Sequence, residues 1–236
     1  MSNIKILTII PARSGSKGIP HKNIKNFKGK PLIAWSIEQA LLSSYKNQMR
    51  VIVSTDSADY IKIANIYGAE TPFLRPSEIS QDLSTDYECI RHSLEYLKNE
   101  EDYIPDIVLQ LRPTQPCRKI EDINKCLDLF ISNMDTYDSL RTVVEFEKSP
   151  YKMYSIGNNT LIPMHREING IKEPYNQCRQ ALPKTYLHNG YIDIFKTSIV
   201  HDGTISGERI YPYVMDKSDT IDIDTMDDWF KAEKTD

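Results

Sequence analysis

No run of apolar residues in this sequence approaches the roughly 20 needed to span a bilayer, and residues 1–5 lead straight into a strand-like segment without the apolar stretch of a secretory leader. The expectation is a cytoplasmic protein that does not enter a membrane. Cysteine is sparse: Cys89, Cys117, Cys126 and Cys178 form no C-x-x-C pair, which argues against a zinc ribbon or a disulfide framework and leaves free thiols. Basic charge is not in excess either. With 29 Lys and Arg against 33 Asp and Glu, the net charge is -4, which argues against coating nucleic acid through bulk charge. Any anion site must therefore be local. A Walker A loop is absent, because the single Gly-Lys pair, Gly29-Lys30, precedes Pro31 and lacks the upstream glycine at the required spacing. His21, His92, His165, His188 and His201 show no metal-ligand spacing and read as surface or capping residues, and no His–carboxylate pair is evident.

What is present is a regular alternation. Residues 4–10 are almost continuously apolar and β-branched, the pattern of a strand buried on both faces of a parallel sheet. Leu32, Ile33, Ile37, Ala40 and Leu41 then recur at helical spacing. A strand at 51–53 and a helix at 57–67 follow, with Gly68 placed to end that helix. Thr85 and Glu88 have capping-box spacing and open a helix through Ile90, Leu94 and Leu97. A strand at 107–109 and a helix through Ile123, Leu127 and Phe130 come next. This order predicts an α/β fold with a mostly parallel sheet flanked by helices. Residues 150–189 break the rhythm, mixing aromatic and apolar residues with Gly, Asn and Pro, and read as an inserted arm whose apolar groups need a surface such as a second subunit. The α/β domain is then 1–149 with 190–236. Its sheet is expected to resume at 191–195 and again at 220–224, before a closing helix containing Trp229 and Phe230.

Two constellations carry chemistry. From Pro11 to Lys30 there are six Lys or Arg residues and no acid, in a chain that is acidic as a whole. This loop leaves the carboxyl end of the first strand, where open parallel sheets bind ligands. Gly15 and Gly18 let the backbone approach an anion, and Arg13, Lys17 and Lys22 can neutralise a polyphosphate. The second is the pair Asp222 and Asp224, which a strand of period 2 puts on one face. Two such carboxylates either end a solvated strand or share a cation, for which Mg²⁺ with phosphate oxygens is the natural partner.

The run Ile10-Pro11-Ala12-Arg13-Ser14-Gly15-Ser16-Lys17-Gly18-Ile19-Pro20, followed by Lys22-Asn23, resembles the signature of the acylneuraminate cytidylyltransferase family, which makes CMP-sialic acid, CMP-nonulosonate and CMP-Kdo. Further pieces match in order: Ser54-Thr55-Asp56, Leu74-Arg75-Pro76 with Asp82, Arg112-Pro113-Thr114-Gln115-Pro116-Cys117-Arg118, Arg179-Gln180, Asn189-Gly190 and Asp222-Ile223-Asp224-Thr225. The resemblance implies a Rossmann-like nucleotidyltransferase fold working as a homodimer. It implies that Arg13, Ser16, Lys17 and Lys22 hold the triphosphate of CTP, and that Asn23 and Arg75 with Asp82 complete the nucleotide site. Asp222 and Asp224 would hold Mg²⁺. Gln115, Lys152, Arg179 and Gln180 fall on the acid-sugar side, with the arm residues reaching a partner's site. Two positions depart from the sialic acid pattern, Arg112 where Gln is usual and Asp193 where Tyr is usual, and both are expected near the sugar. The sugar expected is thus an acid related to N-acetylneuraminate and not necessarily that compound. The rivals are nucleotidyl transfer to another sugar, either an eight-carbon acid such as Kdo or a sugar phosphate activated by another nucleotide, or a non-catalytic module whose basic loop holds RNA or a nucleotide, which would have no need of the Asp222/Asp224 pair.

Overall fold

The computed structural model describes residues 4–235. Its centre is β1 (Ile6–Pro11), whose Ile6, Leu7, Ile9 and Ile10 have no exposed surface, as expected for a strand covered on both faces. The helix α1 (Leu32–Leu41), β2 (Met49–Ser54), α2 (Ala58–Ile66), α3 (Asp86–Glu101), β3 (Ile107–Gln110) and α4 (Ile120–Ser132) follow in the expected order. They continue into β4 (Ser139–Glu145), β5 (Tyr186–Lys196), α5 (Thr197–His201), β6 (Ile210–Met215) and α6 (Met226–Glu233). The six strands form one sheet in the order β6-β4-β5-β3-β1-β2. Neighbours run parallel except at β5, which is antiparallel to both β3 and β4.

Helices α1, α2 and α4 bury Ile37, Ala64 and Phe130 against one face of the sheet, while α3 and α5 bury Leu94 and Val200 against the other. Three layers result, and the loops at the carboxyl ends of β1, β2 and β3 share one edge. Local signals did what their chemistry predicts. Thr85 accepts from the Glu88 backbone at 3.3 Å while Glu88 accepts from the Thr85 backbone at 2.6 Å, closing the capping box at the start of α3. Gly68 follows α2 with φ at 91°, a backbone a side chain would strain.

Two strands carry no clear sequence pattern and were not expected. One is β4. The other is β6, an edge strand that tolerates Pro212 because its outer side has no partner strand among the described residues. Conversely, residues 220–224 are not a sheet strand: they form an extended segment held by a backbone bond from Ile223 to Thr114 of 2.9 Å. Residues 150–185 leave the sheet as two small hairpins, Tyr154–Gly157 with Thr160–Pro163 and Glu167–Ile168 with Ile171–Lys172. Ile156, Leu161 and Met164 on this arm are exposed. The chain rejoins the sheet already at Tyr186, so the boundary falls before residue 190.

Candidate active site

The basic loop is built by its own backbone before any ligand is considered. Ala12 continues the β1 ladder by donating to the Ser54 carbonyl at 2.9 Å, and Asp56, just past β2, accepts from both the backbone N–H and the hydroxyl of Ser14 at 2.8 Å. A short turn of 3₁₀ helix at Lys22–Ile24 folds back, and the buried Asn23 donates its amide to the Arg13 carbonyl at 3.0 Å. Arg75 is buried beside them, its guanidinium donating to the Ser54 hydroxyl at 3.0 Å and to the Ser54 carbonyl.

A third apolar cluster then closes the site from the far end of the chain. Ile19 from the loop packs with Phe27, Leu32, Ile223 and Trp229, all nearly or fully buried. Burying Ile19 and Ile223 together forces their polar neighbours to the same place. Lys22 Nζ donates to the Ile223 carbonyl at 2.7 Å and reaches the Asp224 carboxylate at 3.0 Å. Gly18 lies against the Asp224 backbone so closely that a Cβ there would be 2.4 Å from the carbonyl oxygen.

The result is a cleft of about 430 Å³. Arg13, Ser16, Lys17, Lys22, Asn23 and Arg75 line its basic side. Asp224 with Arg112 and Thr114 lines the other. Lys17 and Asp224 therefore share one cavity. Asp82 pairs with Arg13 at 2.9 Å and with Lys17 at 2.6 Å, and those two contacts, Lys17 first, hold its carboxyl below the ordinary range. Asp222 behaves in the opposite way. Although the residue meets solvent, protein atoms crowd its carboxyl enough that desolvation pushes its pKa up, the Asp224 charge adds to this, and Thr114 and Lys22 oppose it.

Comparison with known proteins agrees with this geometry. The family model described as Cytidylyltransferase matches residues 7–162. The pseudaminic acid cytidylyltransferase of Campylobacter jejuni is 33% identical over 227 residues, covering 95% of this chain and 93% of that protein. The CMP-N,N'-diacetyllegionaminic acid synthase of Legionella pneumophila is 35% identical over 239 residues, covering 98% and 96%. This chain belongs to the cytidylyltransferase family. Its fold is also that of a CMP:2-keto-3-deoxy-manno-octonic acid synthetase solved with CTP, with a TM-score of 0.69, 16% identity and 97% of each chain covered.

In this cytidylyltransferase the residues expected on the sugar side divide into three groups. Arg112 lines the cleft, with Nη1 on Asp193 at 2.6 Å and Nη2 on Asp86 at 2.7 Å. Gln115 and Asp193 do not face the cleft. Gln115 is buried and donates to the Asn189 carbonyl at 2.8 Å, and Asp193 is buried behind Arg112. Lys152, Arg179 and Gln180 lie on the arm, away from this cleft: Lys152 donates to the Gln177 carbonyl, and Arg179 and Gln180 border a separate depression with Glu145 and Lys184.

Sequence reasoning singled out Asp224 on this cleft but missed a second acid on its wall. Asp86 lines it and gave no signal beyond its place after the capping Thr85. It also missed a His–carboxylate pair, because His188 and Asp193 meet at 2.7 Å only through a shift of strand register between them. Burial alone would push Asp193 up, but the contacts with His188 and Arg112 outweigh it and hold the carboxyl below its ordinary range. The pair sits behind Arg112, so it is not positioned as a base on a ligand.

The donor set suits a small hard cation. Asp222 and Asp224 offer carboxylate oxygens that repel each other, and a divalent ion would relieve that repulsion. Among the described residues no group of three or more His, Cys, Asp or Glu side chains forms a closed metal cage. Such an ion would take its remaining ligands from phosphate and water, which is the habit of Mg²⁺.

Proposed function

We propose that the protein transfers a cytidylyl group from CTP to a 2-keto-3-deoxy acid sugar of the nonulosonate type, releasing pyrophosphate. The observation that carries this reading is the meeting of the basic loop with Asp224 in one cleft, pinned by Ile19 and Ile223, with Asp222 two residues away outside the cleft lining. The names of the relatives support CTP and a sialic-like acid as substrates.

Arg13, Lys17 and Lys22 bind the triphosphate, which takes over from the carboxylates of Asp82 and Asp224 that now neutralise them. With charge moving onto the departing pyrophosphate, these same cations stabilise it. Ser16 adds a hydroxyl donor, and Asn23 and Arg75 close the nucleotide end. Asp222 and Asp224 would hold Mg²⁺, which supplies charge neutralisation and in-line orientation at the phosphates. The anomeric hydroxyl of the sugar attacks the α-phosphorus as the bond to the β-phosphate breaks and the hydroxyl proton passes to water, and Arg112, on the cleft wall, would face the sugar.

We further propose a homodimer. The exposed apolar arm would pack on a second copy and carry Lys152, Arg179 and Gln180 to the partner's sugar site, which accounts for their distance from the cleft of their own chain. CTP is a cytoplasmic metabolite, which supports work in that compartment.

The test is pyrophosphate release from CTP over a panel of nonulosonic acids and Kdo, with ATP, GTP and UTP as controls. Turnover with CTP and at least one nine-carbon acid is expected. No CTP-dependent turnover with any acid sugar rejects the proposal, and turnover with Kdo alone moves it to an eight-carbon acid.

A further inference from the structure

Arg112 enters the cleft already answered by two carboxylates. Asp193 takes Nη1 at 2.6 Å and Asp86 takes Nη2 at 2.7 Å, while the Gly190 carbonyl accepts a weaker bond from Nη1 at 3.3 Å. Asp193 is itself held from behind, by His188 at 2.7 Å and by Arg141 at 3.9 Å, and its side chain is 3% exposed. Gly190, with φ at 65°, packs against the guanidinium, where a side chain would both strain the turn and crowd Arg112. Every one of these contacts removes freedom from Arg112. Together they also remove its net charge, since two carboxylates face Arg112 and the more distant Arg141.

A sugar carboxylate brought to this guanidinium would lie beside the Asp86 carboxylate and would be repelled by it. An uncharged group meets no such penalty. Nε of Arg112 has no partner among the described residues, and Asp86 Oδ1, on the cleft wall, has none either. Each of these free atoms shares a carbon with an atom of the 2.7 Å Nη2–Oδ2 contact, so covalent geometry keeps the donor and the acceptor near one another. That arrangement matches a group carrying both a carbonyl oxygen and an N–H, which is an amide.

We propose that Arg112 and Asp86 form a subsite for an acylamino substituent of the acid sugar, and that Asp193 is the positioning residue that holds Arg112 in register for it. This rests on the function proposed above. It assigns Asp193 a role through Arg112 and not on the substrate, and it leaves the sugar carboxylate to other cations.

The experiment compares two acid sugars that differ at one carbon, one bearing an acylamino group and one a hydroxyl, each turned over with CTP. For the wild type, kcat/KM is expected to favour the acylamino sugar by about tenfold or more, because the single oxygen of a hydroxyl does not reach both Arg112 Nε and Asp86 Oδ1 and leaves one of them unpaired. Arg112→Gln should raise KM for the acylamino sugar by about tenfold more than it raises KM for the hydroxyl sugar, erasing the preference. Arg112→Lys should fail as Gln does, since an ammonium cannot reproduce the fork. Asp193→Asn should raise the same KM, and adding it to Arg112→Gln should cost nothing more, the mark of one residue acting through another. An unchanged CTP-induced thermal shift verifies that the variants are folded, and Asp86→Asn, at the more exposed side of the pair, serves if Asp193→Asn is not.

Equal loss on both sugars after Arg112→Gln, full rescue by Lys, or additive losses in the double variant would each overturn the inference. A wild type that turns over both sugars without preference defeats the subsite alone. One that turns over neither defeats the underlying function instead.

Discussion

Lys22 and Asp224 stand 202 positions apart in the chain and 3.0 Å apart in the fold. Neither residue brings this about. Ile19 and Ile223, buried in one cluster with Trp229, draw the basic loop and the acidic segment together, and the charged groups meet because their apolar neighbours do.

The first prediction concerns the relative weight of the loop cations. Lys22 is 12% exposed and Lys17 75% exposed, so water screens Lys17 far more. Lys22→Ala is expected to lower kcat/KM for CTP by about 100-fold or more, and Lys17→Ala by about tenfold. Steady-state kinetics at fixed ionic strength measures both, and a larger loss at Lys17 would contradict the burial argument.

The second follows from the raised pKa of Asp222. A carboxyl whose folded pKa lies above its unfolded value binds a proton more tightly in the folded state. Its contribution to stability is therefore full at pH below the unfolded value and is lost as pH rises through the folded one. At neutral pH, Asp222→Asn should raise the Tm of metal-free protein, and the gain should fade in acid. Mg²⁺ should stabilise the wild type at neutral pH and lose that effect as the carboxyl protonates. Scanning fluorimetry across pH, with and without Mg²⁺, reads all three, and a Tm for Asp222→Asn below the wild type at neutral pH would refute the assignment.

Gly18 supplies a steric test. A methyl there would press on the Asp224 carbonyl at 2.4 Å, and that oxygen belongs to backbone pinned by Ile223, so the contact is relieved only by moving the acidic segment. Gly18→Ala should reduce CTP turnover by about tenfold or more with the fold retained. Gly15→Ala, which meets nothing within 4 Å, is the stability control. Wild-type kinetics in Gly18→Ala would mean that the spacing of loop and acid is not critical.

Arg118 is a structural cation. Desolvation lowers its pKa to about 10, and no carboxylate among the described residues forms an ion pair with it. It donates to the Tyr191 carbonyl at 2.6 Å, to Gln39 at 2.7 Å and to the Arg112 carbonyl at 2.9 Å. Arg118→Met strands these acceptors and should destabilise the protein by about 3 kcal/mol or more, at ~1–3 kcal/mol for each buried group left unpaired. Arg118→Lys should not restore it, since one ammonium cannot reach all three. Urea unfolding decides, and a loss below ~1 kcal/mol would show that the network is not needed.

By itself the sequence determined whatever depends on near neighbours in the chain. The buried strand Ile6–Pro11, the capping box at Thr85 and Glu88, the stop at Gly68 and the cluster of cations in residues 11–30 are all written in spacing, since periodicity, capping and local charge act over a few residues. Tertiary structure alone decided the rest. The edge strand Ile210–Met215 is hidden by Pro212, and residues 220–224 look like a strand yet bond to Thr114 outside the sheet. Above all, the charge that Arg112 offers a ligand depends on Asp86 and Asp193, which lie 26 and 81 positions away. A guanidinium in a sequence is a cation. Only the fold, by setting which carboxylates stand within 3 Å and which are buried, placed this one in a charge-balanced cluster with Asp86, Asp193 and Arg141.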